Sequence, residues 1–174
     1  MGAMIDVFLR LVRLTHDKVK VSTVNLADMA LDIAKKLQRE NPDRVLRFEI
    51  HKDLLVSADP QFLEVALANL LQNAVKFTRS RAEAVIEVGR LNGKDGAVYF
   101  VRDNGVGFDA VATEEVGQSF KRRHSASEYP GTGVGLTIVR RVIDRHGGKI
   151  WVESKPDQGA TYFFTLGINP GSLA

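Results

Sequence analysis

The 174-residue sequence predicts an α/β fold: a two-layer sandwich with a mixed sheet of about five strands and helices on one face. Two observations predict it. Segments whose apolar residues recur with helical spacing, at 26–39, 61–78 and 134–146, alternate with short runs of strand character at 45–50, 54–58, 84–91, 97–102, 150–154 and 161–166. The run 61–78 also separates into two faces when wound at about 100° per residue. Leu63, Leu67, Leu70, Leu71 and Ala74 fall in one arc that can sit on a core, whereas Asn69, Asn73 and Lys76 line up on the opposite side.

Each element has local reasons. Residues 5–14 mix apolar and basic side chains at helical spacing (Phe8, Leu11, Val12, Leu14) and lead into a polar linker, 16–24. They read as the tail of a helix whose packing partner lies elsewhere. Asn25 can cap the next helix, with the stripe Leu26, Met29, Ala30, Ile33 and Leu37, and Asn41-Pro42-Asp43 stops it. After the two short strands, Asp59 is placed to cap the divided helix, with Pro60 at its first turn. The strands 84–91 and 97–102 are joined by Asn92-Gly93-Lys94-Asp95-Gly96. Gly89 to Lys94 superficially matches a phosphate-binding loop, but the spacing is one residue short, Asp95 stands where Ser or Thr is needed, and no helix follows. It is a hairpin turn. Segment 109–130 is polar with little periodicity and is expected to be a mobile cover. The helix 134–146 closes at His146-Gly147-Gly148, a basic residue in the last turn and glycine beyond it. The final strands flank the turn Pro156-Asp157-Gln158-Gly159.

Composition narrows the function. Hydrophobic content of 44% and charged content of 26% are those of a soluble globular protein, and the chain is long enough for a full core. A net charge of +3 is too mild for a dedicated nucleic-acid binder. Without cysteine there are no disulfides and no thiolate metal sites. No apolar run is long enough to span a bilayer and none has the form of a signal peptide, so a cytoplasmic chain without membrane contact is expected.

Two glycine-rich stretches carry chemistry. Asp103-Asn104-Gly105-Val106-Gly107-Phe108 leaves a strand. An ionised Asp is a pure acceptor and suits the exocyclic amine of adenine, while the glycines can let backbone approach a flat ring; the plain alternative is a structural turn. Gly131-Thr132-Gly133-Val134-Gly135-Leu136 opens a helix. It lacks the dinucleotide-binding spacing, because Leu136 stands where the last glycine would be, but it offers backbone N–H groups to an anion; a flexible hinge is the alternative.

Taken in order, a helix with Asn69, Asn73 and Lys76, then Asp103-x-Gly105-x-Gly107, a loop, Gly131-x-Gly133-x-Gly135-Leu136 and Gly159-Ala160-Thr161, the sequence resembles the catalytic and ATP-binding domain of bacterial sensor histidine kinases, in the GHKL ATPase superfamily. Phe120-Lys121-Arg122-Arg123-His124-Ser125 is most similar to kinases of the phytochrome-linked and PAS-linked type. The resemblance implies ATP and Mg²⁺ as ligands. It implies that Asn73 offers its side-chain oxygen to the metal, that Asn69 helps hold the metal and phosphate shell, and that Lys76 neutralises phosphate charge. Asp103 would accept from adenine with Gly105 and Gly107 alongside. Thr132, Gly133, Gly135 and Leu136 would line the phosphates, Thr161 would complete the adenine side, and Phe120 and Arg122 would form the lid, Arg122 nearest the terminal phosphate. Asn69, Lys76 and Arg122 are thus the implied catalytic groups. An aromatic that the family usually has a few residues before Phe120 is replaced here by Val116-Gly117-Gln118.

Hydrolysing members of the superfamily (gyrase, MutL and Hsp90 types) carry a Glu one turn before the metal Asn; Asn69 stands there and cannot act as a base. Transfer to a protein side chain is therefore favoured. The family's acceptor is a histidine on a dimeric helical hairpin; His16-Asp17 is followed by Lys18-Val19-Lys20, which does not continue that motif. The acceptor hairpin and a downstream response regulator are the implied partners, both outside this chain, and a monomer is expected. The expected organisation is 1–4 as an expression remnant, 5–24 as the hairpin's end and linker, 25–168 as the catalytic domain and 169–174 as a tail. The rival readings are an ATPase or anti-sigma-type serine kinase of the same superfamily, and a non-catalytic binding module.

Overall fold

A computed structural model describes residues 9, 12, 13, 16–115 and 134–167; within 110–115 it describes the backbone. Helix α1, Leu26–Glu40, starts where Asn25 Oδ1 accepts from the N–H groups of Ala27 and Asp28, at 3.1 and 3.3 Å. It ends where the Asn41 side chain donates to Leu37 O at 2.8 Å. Helix α2, Pro60–Phe77, is capped by Asp59, whose Oδ1 accepts from Gln61 and Phe62. Each cap satisfies donors that would otherwise have no partner in the first turn. Helix α3 is Gly135–Arg145.

The strands are β1 (Ser22–Asn25), β2 (Val45–Ile50), β3 (Leu55–Ala58), β4 (Glu83–Gly93), β5 (Gly96–Asp103), β6 (Ala110–Glu115), β7 (Ile150–Ser154) and β8 (Ala160–Phe164). The main sheet runs β2-β4-β5-β8-β7-β6, with β2 and β4 parallel and the other pairs antiparallel. The mixed sheet is as the sequence predicts, with one more strand among the described residues. That strand is β6, in the segment expected to be a polar cover. Its acidic residues hide a short β-branched alternation, Val111 and Thr113, and a register shift between Ala110 and Glu114 marks its edge position against β7. The end of the supposed linker also forms a strand: β1 pairs with β3, Val24 opposite Val56, and both are buried.

The helices share one face of the sheet. Leu63, Leu67, Leu70, Leu71 and Ala74 of α2, at 0–2% exposure, pack with Ile86, Val88, Val101, Val152 and Tyr162 of the strands. On the other face Trp151 stacks on Phe163 at 5.5 Å and His51 meets Phe100 edge-on. The two long helices of the site are tied together at a polar node. His146, wholly buried, accepts from Asp59 N–H at Nε2 (2.9 Å), and its Nδ1 donates to Val142 O (2.7 Å). Gly147, at φ +68°, then turns the chain so that Gly147 and Gly148 donate to Asp144 O and Ile143 O.

Candidate nucleotide site

The polar face of α2 is where the pieces meet. Asn69 gives its amide N–H to Val65 O at 2.7 Å, and its Oδ1 faces Gly135, the first residue of α3. Asn73, one turn on and half-buried, makes no side-chain hydrogen bond among the described residues. Lys76 is half-buried with its ammonium 4.9 Å over the Phe77 ring and no carboxylate partner among the described residues. Burial, and secondarily the like charge of Arg79, push its pKa down. Two amides and a cation without an acid partner form a surface fit for a polyanion. Val134 has helical angles (φ −90°, ψ −20°) and makes no side-chain cap, so among the described residues no side chain claims the first N–H groups of α3, which begins beside Asn69.

The loop after β5 docks on the far end of α2. Val106 N–H donates to Phe77 O at 3.1 Å, and a Cβ on Gly105 would collide with that same carbonyl. Gly107 has φ +59°, and a Cβ there would overlap Lys155 O and crowd Gly159 O. Any side chain at either position would thus run into backbone, of α2 at Gly105 and of the turn before β8 at Gly107. Asp103 is 6% exposed; its Oδ1 accepts from Gly105 N–H at 2.8 Å, and Ala160 N–H also donates to the carboxylate. Those bonds lower its pKa, but burial outweighs them and raises it to about 6.

Thr161 is not with them. The register sets Ala160 opposite Asp103 and Thr161 opposite Arg102, and neighbouring strand residues point to opposite faces. Thr161 Oγ1 accepts from Arg102 Nε at 3.2 Å, and Arg102 in turn pairs with Glu87 at 3.0 Å on the outer face. The side chain on Asp103's face is Ala160, one residue earlier. Gly135 and Leu136 stand at the start of α3; Phe120, Arg122, Thr132 and Gly133 lie outside the described residues.

Sequence reasoning passed over two arginines. Arg44 donates to Val75 O (2.5 Å) and Thr78 O (2.9 Å), closing the C-terminal end of α2, and Arg81 reaches the Asp103 loop. Nothing in the sequence marks Arg44 for this, since it follows α1 and the helix end it closes lies more than thirty residues away. A shallow polar concavity of about 350 Å³ lined by His51, Lys52, Asp53, Leu54, Arg90 and Asn92 is separate from this site.

Residues 58–170 match the family described as histidine kinase-, DNA gyrase B- and HSP90-like ATPases, more than half of the chain. The chain belongs to that family. Its relatives within this family include proteins named as phytochromes and as sensory or histidine kinases. Cyanobacterial phytochrome B of Nostoc is 44% identical over 101 residues, covering 57% of this chain and 13% of that protein. The adaptive-response sensory kinase SasA of Synechocystis is 33% identical over 147 residues, 82% of this chain and 38% of that protein. The chain thus spans a small part of the curated relatives it matches. Among solved structures, a mycobacterial sensor histidine kinase, MprB, superposes with a TM-score of 0.66 at 23% identity, over 84% of this chain and 97% of that one. The catalytic domain of the histidine kinase ThkA gives 0.63 at 26% identity, over 84% and 97%. The resemblance to the ATP-binding catalytic domain of sensor histidine kinases, phytochrome-like ones included, therefore stands.

Proposed function

We propose that this ATPase-family chain binds ATP with Mg²⁺ on the polar face of α2 and transfers the terminal phosphoryl group to a histidine carried by a helical hairpin outside this chain. The observation that carries the reading is the convergence on α2: the uncapped start of α3 at Asn69, and the Asp103 loop at Phe77. Among the described residues no group of three or more His, Asp or Glu is placed to hold a metal by itself. Asn73, free and neutral, fits an ion whose charge is already met by phosphates. When bound, Mg²⁺ would neutralise charge on the phosphates; Asn69 and Lys76 would hold that shell, and Arg122 would approach it from the lid. Gly133, Gly135, Leu136 and Thr132 would line the phosphates, with Phe120 in the lid, and Asp103 would accept from the adenine amine. Catalysis is then positioning and charge neutralisation, since Asn69 supplies no base for water.

Residues 25–168 would be the catalytic domain and 5–24 the exit of the dimerisation hairpin, with a response regulator downstream. Among the described residues no helix is long and apolar enough to cross a membrane, which accords with a catalytic unit working in the cytoplasm. The test is calorimetry with ATP and Mg²⁺, followed by labelled ATP with and without a histidine-bearing hairpin. Binding that Asn73→Asp abolishes, with label appearing only on the hairpin, is the expected result. Steady release of phosphate would favour the ATPase reading. Absence of nucleotide binding would leave a non-catalytic module.

A further inference from the structure

Arg81 follows the end of α2 and turns back on it, its N–H donating to Thr78 O at 3.0 Å. Among the described residues its guanidinium is spent on backbone rather than on any acid. Nε donates to Asn104 O at 2.8 Å, and Nη2 donates to Gly105 O at 3.0 Å and Asp157 O at 2.9 Å. Asn104 and Gly105 are the two residues that follow Asp103, and Gly105 N–H is itself a donor to the Asp103 carboxylate. Asp157 lies in the turn between β7 and β8, and its N–H donates to Val106 O at 2.7 Å. One planar fork therefore gathers three carbonyls from two loops around the acidic side chain. The Asn104 side chain completes the frame by pairing with β4, accepting from Val85 N–H and donating to Glu83 O.

We propose that Arg81 is a positioning residue for purine recognition: it fixes the Asp103–Gly105 segment so that the carboxylate is held at the angle an exocyclic amine requires. This rests on the reading of Asp103 as the adenine acceptor. Arg81 touches no nucleotide; it acts on the base through the loop. A guanidinium is suited to this because it stays charged at all relevant pH and its donors are spread over separate nitrogens in one plane, whereas the three donors of an ammonium radiate from a single nitrogen and span less. The consequence is a specificity effect. ATP carries the amine that Asp103 accepts from; inosine triphosphate carries a carbonyl at that place and gains nothing from a well-aimed carboxylate.

Calorimetry on the whole chain with ATP and with inosine triphosphate, both with Mg²⁺, tests it. Wild type should prefer ATP by roughly ten- to hundredfold, the range of one charge-assisted hydrogen bond. Arg81→Met should bring ATP down toward the inosine value while the inosine affinity stays within about threefold, and Arg81→Lys should fall between. In Arg81→Met/Asp103→Asn the ATP preference should fall no further than in Asp103→Asn alone. If Arg81→Met does not fold, Arg81→Lys carries the same comparison. The proposal is overturned if either folded variant keeps the wild-type preference, or if both nucleotides weaken by the same factor. Wild type that binds neither nucleotide, or binds both equally, overturns instead the reading of Asp103 beneath it.

Discussion

The side-chain oxygen of Asn69 faces Gly135, 3.0 Å from where a Cβ on that residue would stand. The contact joins the middle of α2 to the first residue of α3, and it is fixed because Asn69 has committed its N–H to Val65 O. A methyl at 135 must push the amide or the turn aside by a few tenths of an ångström. Gly135→Ala should therefore weaken nucleotide binding by roughly threefold to tenfold, since both displaced groups would face the phosphates in the site proposed above. Stability should move little, by under about 1 kcal/mol, because Ala favours helix where Gly does not. Calorimetry and a thermal melt separate the two effects, and unchanged affinity would remove the contact from the site.

Asp103 makes the site sensitive to pH. Its carboxyl is raised from 3.8 to about 6 by burial, so the folded chain holds that proton more tightly than the unfolded chain does. The sign follows: Asp103's contribution is most favourable below the unfolded value and is lost as pH rises through about 6. Measured from pH 4 to pH 7, the stability of wild type relative to Asp103→Asn should fall by up to about 3 kcal/mol. Nucleotide affinity should run the other way. An acceptor must be ionised, so ATP binding should weaken by up to tenfold per unit below about pH 6, and Asp103→Asn should flatten that limb. A pH-independent affinity in wild type would refute the assignment.

Thr161 and Ala160 make a paired test of which face the adenine side occupies. Thr161 spends its hydroxyl on Arg102 across the sheet from Asp103. Thr161→Val should leave nucleotide affinity within about twofold. Ala160 is buried opposite Asp103, and Ala160→Val adds two methyl groups to that packed face; it should cost about 1–3 kcal/mol of stability and weaken ATP binding as well. Titrations of both variants decide it, and the reverse order of effects would put Thr161 back in the site.

The fold was legible because its signals are local. Asn25 and Asp59 announce helix starts, and the apolar arc of α2 follows a period that a sequence displays directly. The polar face of α2 was legible for the same reason. What sequence could not supply was register. Thr161 and Ala160 differ by one position, and only the pairing with Arg102 and Asp103 says which face each takes. Arg81 was equally hidden, because its partners are backbone carbonyls, which every residue has, brought in by Asn104, Gly105 and Asp157 from distant loops. β6 escaped notice because a strand paired on one side only, here with β7 among the described residues, need not look apolar in sequence.

His146 reads in sequence as a basic helix ending, yet it is wholly buried and bonded as a neutral ring, donating to Val142 O and accepting from Asp59 N–H. Asp59 caps α2 with one carboxylate oxygen and takes Lys20 N–H on the other, at 2.7 Å. Removing the histidine therefore disturbs a junction of three segments. His146→Phe keeps an aromatic ring, somewhat larger, but leaves the Asp59 N–H without an acceptor where water does not reach. The expected loss is about 2–4 kcal/mol, one unmet buried donor plus the bonds themselves, read as a lower urea midpoint at unchanged slope. ATP affinity of the folded variant should change by less than about threefold. The junction lies at the end of α3 remote from Gly135, roughly 16 Å along its axis, and ten residues of helix, roughly 15 Å, separate Asp59 from Asn69. A large loss of affinity without a loss of stability would mean that the junction reaches the site through α3 as a rigid body.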